Sequence, residues 1–178
     1  MGSFVANLNR RERAPTSFDL LTVFDMVANR AVSEFNGGGA VEPRMMVVTL
    51  DPASEGKVAS TYMLPPSVTS YFFKNAQSQA HIGPFIDDLL FGHTDARSKL
   101  VDRGVRPDLV VIVNESMLAS EDAGKSKHNP VVLVTIHQRD TSVSGVCKIE
   151  ETTKLCTKGN LDLESWFMTG TEQSISIH

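Results

Sequence analysis

Three segments within residues 107–150 constrain the fold more than any others. Residues 107–115 read Pro-Asp-Leu-Val-Val-Ile-Val-Asn-Glu, residues 130–137 read Pro-Val-Val-Leu-Val-Thr-Ile-His, and residues 142–150 read Ser-Val-Ser-Gly-Val-Cys-Lys-Ile-Glu. Short valine- and isoleucine-rich runs bounded by turn residues form buried strands, since branched side chains pack well on a pleated surface. The first two runs are continuously apolar; the third alternates. The Gln-Arg-Asp-Thr turn at 138–141 makes an antiparallel hairpin of the second and third. The remainder of the chain is expected to cover this sheet.

Upstream, Leu20, Leu21, Phe24, Val27, Ala28, Ala31 and Phe35 recur at helical spacing behind Thr16 or Ser17 as cap and Asp19 in the first turn. Asn36 and the triplet Gly37, Gly38, Gly39 end that helix, because these residues accept left-handed backbone angles. The triplet leaves a helix C-terminus, so it is a hinge or linker and not a phosphate cradle, which needs a helix N-terminus. Residues 41–50 and 57–64 form two further strands joined by a turn-like segment, hence a hairpin. Proline at 65 and 66 stops it. Residues 66–79 predict a second helix through Val68, Tyr71, Phe72 and Ala76. Residues 85–103 predict a third, opened by Gly83 and Pro84, with a stripe of Ile86, Leu89, Leu90, His93, Ala96, Leu100 and Val101.

The order helix, strand, strand, helix, helix, three strands lacks the steady alternation of a doubly wound parallel fold. It predicts an α+β two-layer sandwich: a mixed or antiparallel sheet of five or six strands covered by three helices. All 178 residues are assigned to one domain, with 1–15 as an N-terminal arm and 151–178 as a C-terminal extension packing on the sheet. At this length the core needs no metal or disulfide staple. Cys147 and Cys156 are the only cysteines, which leaves both a pairing and two free buried thiols open. No apolar stretch is long enough to span a membrane, and the first residues lack the order of a secretion signal, so a cytoplasmic protein is expected.

A net charge of −4 weighs against a dedicated nucleic-acid binder. Arg10, Arg11 and Arg13 could form a basic arm, joined by Arg44, but are too few for a large electrostatic contribution. Ala123-Gly124-Lys125-Ser126 is similar to the end of a phosphate-binding loop, but position 119 is alanine and the chain runs on into a strand. Among His81, His93, His128, His137 and His178, no two have metal-ligand spacing one helical turn apart, and no metal or cofactor is expected. Asp51, Asp87, Asp88 and Asp140 all fit turn or helix-start positions.

The connection 114–130 is expected to be a long polar loop between rigid strands, where binding residues concentrate. It carries Glu115 and His128 as candidate acid–base residues, and Ser116, Lys125 and Lys127 as candidate binding residues. Two readings follow. The first is a non-enzymatic interaction protein (an adaptor, inhibitor or assembly subunit) that self-associates or binds a protein partner, because three helices are limited cover for fully apolar strands. The alternative is a small metal-dependent hydrolase or nucleotide-handling enzyme in which Glu115 and His128 converge.

Overall fold

The computed structural model describes residues 14–91, 95–122, 124–139 and 141–163. In chain order these form α1 (Ser17–Gly38), β1 (Arg44–Leu50), β2 (Val58–Met63), α2 (Pro66–Phe72), α3 (Ala76–Gln79), α4 (Ile82–Phe91), α5 (Asp95–Asp102), β3 (Leu109–Asp122), β4 (Lys125–Gln138), β5 (Thr141–Glu150) and β6 (Leu155–Thr157). The fold is α+β. Its six strands lie in the order β2-β1-β3-β4-β5-β6, with every neighbouring pair antiparallel.

Local chemistry sets the limits of α1. The Thr16 hydroxyl accepts the Asp19 N–H at 3.3 Å, and the Asp19 carboxylate accepts the Thr16 N–H at 2.9 Å, a reciprocal capping box. The buried Asp19 carboxylate also accepts the Gly56 N–H at 2.7 Å, which ties the β1–β2 connection to the start of the helix. Gly39 at φ +78° takes the left-handed conformation that ends the helix.

Strand alternation divides the core in two. Met46, Val48, Leu50, Val111, Val113, Val132, Val134 and Ile136 face α1 and pack on Leu20, Phe24, Val27 and Ala31. Met45, Val47, Val110 and Ile112 face the other way, onto Phe72, Ile86, Leu89, Leu90 and Leu100 of α2, α4 and α5. Helices therefore cover both faces of β1 and β3, which is why those strands are apolar without interruption. β5 is buried at alternate positions, Val143, Gly145 and Cys147, and its sequence alternates.

Among the described residues five helical segments are present; three helices were expected. The stripe over 66–79 is broken at Phe73, and Asn75 caps a new turn by accepting the Ser78 N–H at 2.8 Å. Over the stripe 85–103, α4 and α5 flank residues 92–94, which lie outside the described residues. α4 begins at Ile82, so Asp87 and Asp88 lie in its interior and not in its first turn. Arg10, Arg11, Arg13, His93, Asp140 and His178 lie outside the described residues.

The largest departure is at 114–130. The expected polar loop is a continuation of β3 and β4, paired rung by rung from Asn114↔Leu133 to Asp122↔Lys125. Gly124, at φ +76°, supplies the left-handed residue that so short a connection needs. β1 pairs with β3 only up to Val113, and β5 pairs with β4 only as far as Val131. From Met117↔Pro130 outward the two strands have no lateral neighbour among the described residues and project as a two-stranded arm.

Candidate functional site

Glu115 stands at the root of this arm. Its Oε1 accepts the Val41 N–H at 2.8 Å, anchoring the segment between α1 and β1. In register it faces Val132, whereas His128 faces Ala119, four rungs further out on the same side of the ribbon. Four rungs are about 14 Å at ~3.4 Å per residue, while an acid–base pair works at hydrogen-bonding distance. The structure does not bring Glu115 and His128 together. Ser116 is half-buried opposite Val131, Lys127 is exposed opposite Ser120, and Lys125 forms the closing rung with Asp122. Lys125 and Ser126 continue a strand with no helix after them, so no helix N-terminus is available to a phosphate.

The other histidines are dispersed. His81 is exposed near the start of α4. His137 is half-buried on the sheet face opposite that of Glu115. Burial pushes its imidazole below the ordinary value, and the Asp87 carboxylate acts weakly against that. It lines a cleft of about 340 Å³ with Asp87 and Ser142, its cross-strand neighbour, but no hydrogen bond joins the three. Among the described residues no group of three histidine, cysteine or acidic side chains is placed to hold a metal ion. Asp51 has the turn role expected of it: its carboxylate accepts the Ala53 N–H at 2.8 Å, and that bond holds its pKa below the usual range.

Both cysteines are free and buried. Cys156 faces Ile149, which makes Cys147 its diagonal neighbour across β5 and β6. Diagonal Cα atoms lie roughly 7–8 Å apart, outside the usual span of a disulfide. Burial, with the Cys147 sulfur and the Glu115 carboxylate nearby, pushes the Cys156 thiol up to about 11; burial also raises Cys147. Neither thiol is a ready nucleophile. In folded protein at pH 7.5, both are expected to resist a thiol-specific disulfide reagent over an hour and to react within minutes in denaturant. Rapid labelling of either thiol in the folded chain would contradict this burial.

Several anchoring groups carry no local motif in the sequence. The Asn36 side chain acts as a substitute strand: its Nδ2 donates to the Cys156 carbonyl at 3.1 Å, and its Oδ1 accepts the Cys156 N–H at 2.7 Å, pinning β6 to the end of α1. Arg44 makes a two-pronged contact with Glu34, with Nη1–Oε1 at 2.8 Å and Nη2 on Oε2. The Arg30 Nε reaches Glu34 Oε1 at 3.4 Å. Hydrogen bonding from Arg44 is the largest influence on Glu34 and holds its carboxyl below the usual range. Arg44 is thus held in an ion pair beside α1. No helix among the described residues is long and apolar enough to cross a membrane.

The arm's side chains suit contact better than chemistry. Met117 and Leu118 are 58% and 44% exposed, one on each side of the ribbon. On the side of Leu118, Leu133 faces Val146 and Thr135 faces Ser144, all partly exposed beyond the cover of the helices. Comparison of the chain with protein-family models, curated proteins and solved structures finds no match in any of the three.

Proposed function

We propose that this protein acts without catalysis, through protein–protein contacts, as an adaptor, inhibitor or assembly subunit, and that the β3–β4 arm is its contact surface. The observation that carries this reading is the arm's isolation. An unsupported two-stranded ribbon is marginally stable in water, and this one exposes an apolar side chain on each side. Its outer edges, beyond Val113 on β3 and Val131 on β4, have no neighbouring strand among the described residues, which leaves room for an added strand. Burying the exposed half of Met117 and Leu118 in a partner is worth about 1 kcal/mol each. A second copy of this chain offers the same edges and the same apolar residues, so self-association is the form of the reading to test.

The alternative, a metal-dependent hydrolase or nucleotide-handling enzyme, required Glu115 and His128 in one place, and the strand register gives that no support. Light scattering coupled to gel filtration tests the first reading. Wild-type protein at about 100 µM is expected to run as a dimer or larger species, and the double variant Met117→Lys/Leu118→Lys as a monomer. Association should weaken by about a hundredfold or more, with the circular dichroism spectrum retained. A wild-type monomer at that concentration would sink the self-association reading, as would a variant that assembles equally well.

A further inference from the structure

On the opposite side of the molecule from α4, α1 packs most extensively over β4 and β6 and only lightly on the edge strand β2, most of which is exposed. A groove of about 360 Å³ remains between α1 and the β1–β2 edge. Met26, Met46 and Met63 line it, with Thr61, Arg30 and Arg44; the rest of its lining is apolar. From this groove we infer a binding site for a small amphipathic monoanion, with an alkyl or aromatic body lying on the methionines and a carboxylate head at the arginines.

Charge selects the anion. No carboxylate lines the groove; Glu34 pairs with Arg44, on which Glu42 also acts, so the cationic group that faces the groove with open donors is Arg30. Arg44 is turned by its two-pronged bond with Glu34 and is largely enclosed. Arg30 is 69% exposed and uses only Nε, so its two Nη groups are open to a ligand in the planar geometry that suits a carboxylate. Thr61 adds a hydroxyl on the opposite wall. Shape selects the body. The volume is at the lower end of the range for small-molecule sites, and three unbranched thioether side chains adapt to chains of varied outline. A single guanidinium with open donors, near Glu34 and Glu42, favours a carboxylate over a dianionic phosphate. The site is independent of the β3–β4 arm, and neither reading requires the other.

Calorimetric titration of the full chain with decanoate, below its micellar concentration, tests the inference. Decanol, decyltrimethylammonium and acetate serve as controls. Saturable one-to-one binding of decanoate is expected, at least tenfold tighter than decanol, with no binding of the cation or of acetate. Arg30→Glu should weaken decanoate about tenfold or more, since one charge-assisted contact is lost and a repulsive one gained. Thr61→Trp, which fills the groove from an exposed strand position, should abolish binding while the melting temperature stays within a few degrees. Equal binding of decanoate and decyltrimethylammonium would overturn the site. So would binding indifferent to both variants, absence of saturation up to about 1 mM, or occupation only by the apolar side chain of a partner protein.

Discussion

Asp108→Ala is expected to cost about 3–5 kcal/mol of unfolding free energy in urea titrations. The Arg106 and Asp108 side chains are only 8% and 6% exposed, and both bond Leu50, which joins the end of β1 to the segment that leads into β3. The Arg106 Nε donates to both Asp108 oxygens, at 2.9 and 3.1 Å. Its Nη2 donates to Asp108 Oδ2 at 2.9 Å and to the Leu50 carbonyl at 2.7 Å. Asp108 Oδ2 also accepts the Leu50 N–H at 2.8 Å, and the Thr49 hydroxyl donates to the Arg106 carbonyl at 2.7 Å. Truncating Asp108 removes the carboxylate that pairs with an enclosed guanidinium, and the loss of that pairing dominates the cost. Removing both partners, as in Arg106→Met/Asp108→Leu, should therefore cost less than the sum of the two single changes by 2 kcal/mol or more. A residual penalty of about 1–3 kcal/mol remains for the Leu50 backbone groups left without partners. A single change costing under about 1 kcal/mol would contradict this account of the pair.

The second large effect concerns a glycine inside a strand. A Cβ added at Gly145 would lie 2.2 Å from Cε2 and 2.7 Å from Cζ of Phe24. Phe24 is among the largest fully enclosed side chains of the α1 face. The backbone there is unstrained, so the effect of Gly145→Ala is steric: the ring shifts or α1 rises from β5. The expected cost is about 1–3 kcal/mol. Phe24→Ala, which empties the same space, should cost about 3–5 kcal/mol. Combining Gly145→Ala with Phe24→Leu should recover at least ~1 kcal/mol relative to the sum of the singles, since the smaller side chain vacates the volume the methyl enters. Additive thermal melts would show that the two residues do not compete for one space.

How far each element was legible follows from where it is buried. β1 and β3 are covered on both faces, and burial on both faces is what an unbroken apolar run records; β5 alternates because it is covered mainly on one. Thr16 and Asp19 marked the start of α1 through chemistry local to the sequence. The outer parts of β3 and β4 failed for the complementary reason. A ribbon with solvent on both sides has no core to impose a pattern, so Asn114-Glu115-Ser116 and Lys125-Ser126-Lys127 have the composition of a loop even though the backbone pairs throughout. β6 is a three-residue strand among polar residues, held by a side chain 120 positions away in Asn36, and no local signal reports that. The groove likewise draws Arg30, Arg44 and Thr61 from three elements, so only tertiary structure assembles it. Glu115 and His128 were read as members of a loop joining two strands; they stand on β3 and β4 four rungs apart, and only the register reveals that separation.

The strand order has a kinetic side. Four of the five pairings join strands that follow one another along the chain; the exception, β1 with β3, must enclose residues 51–108. Closing a short turn costs far less chain entropy than closing that excursion. The C-terminal meander can therefore zip up first and serve as the template on which the first hairpin later docks, with the bonds of Arg106 and Asp108 to Leu50 fastening the seam as the halves meet.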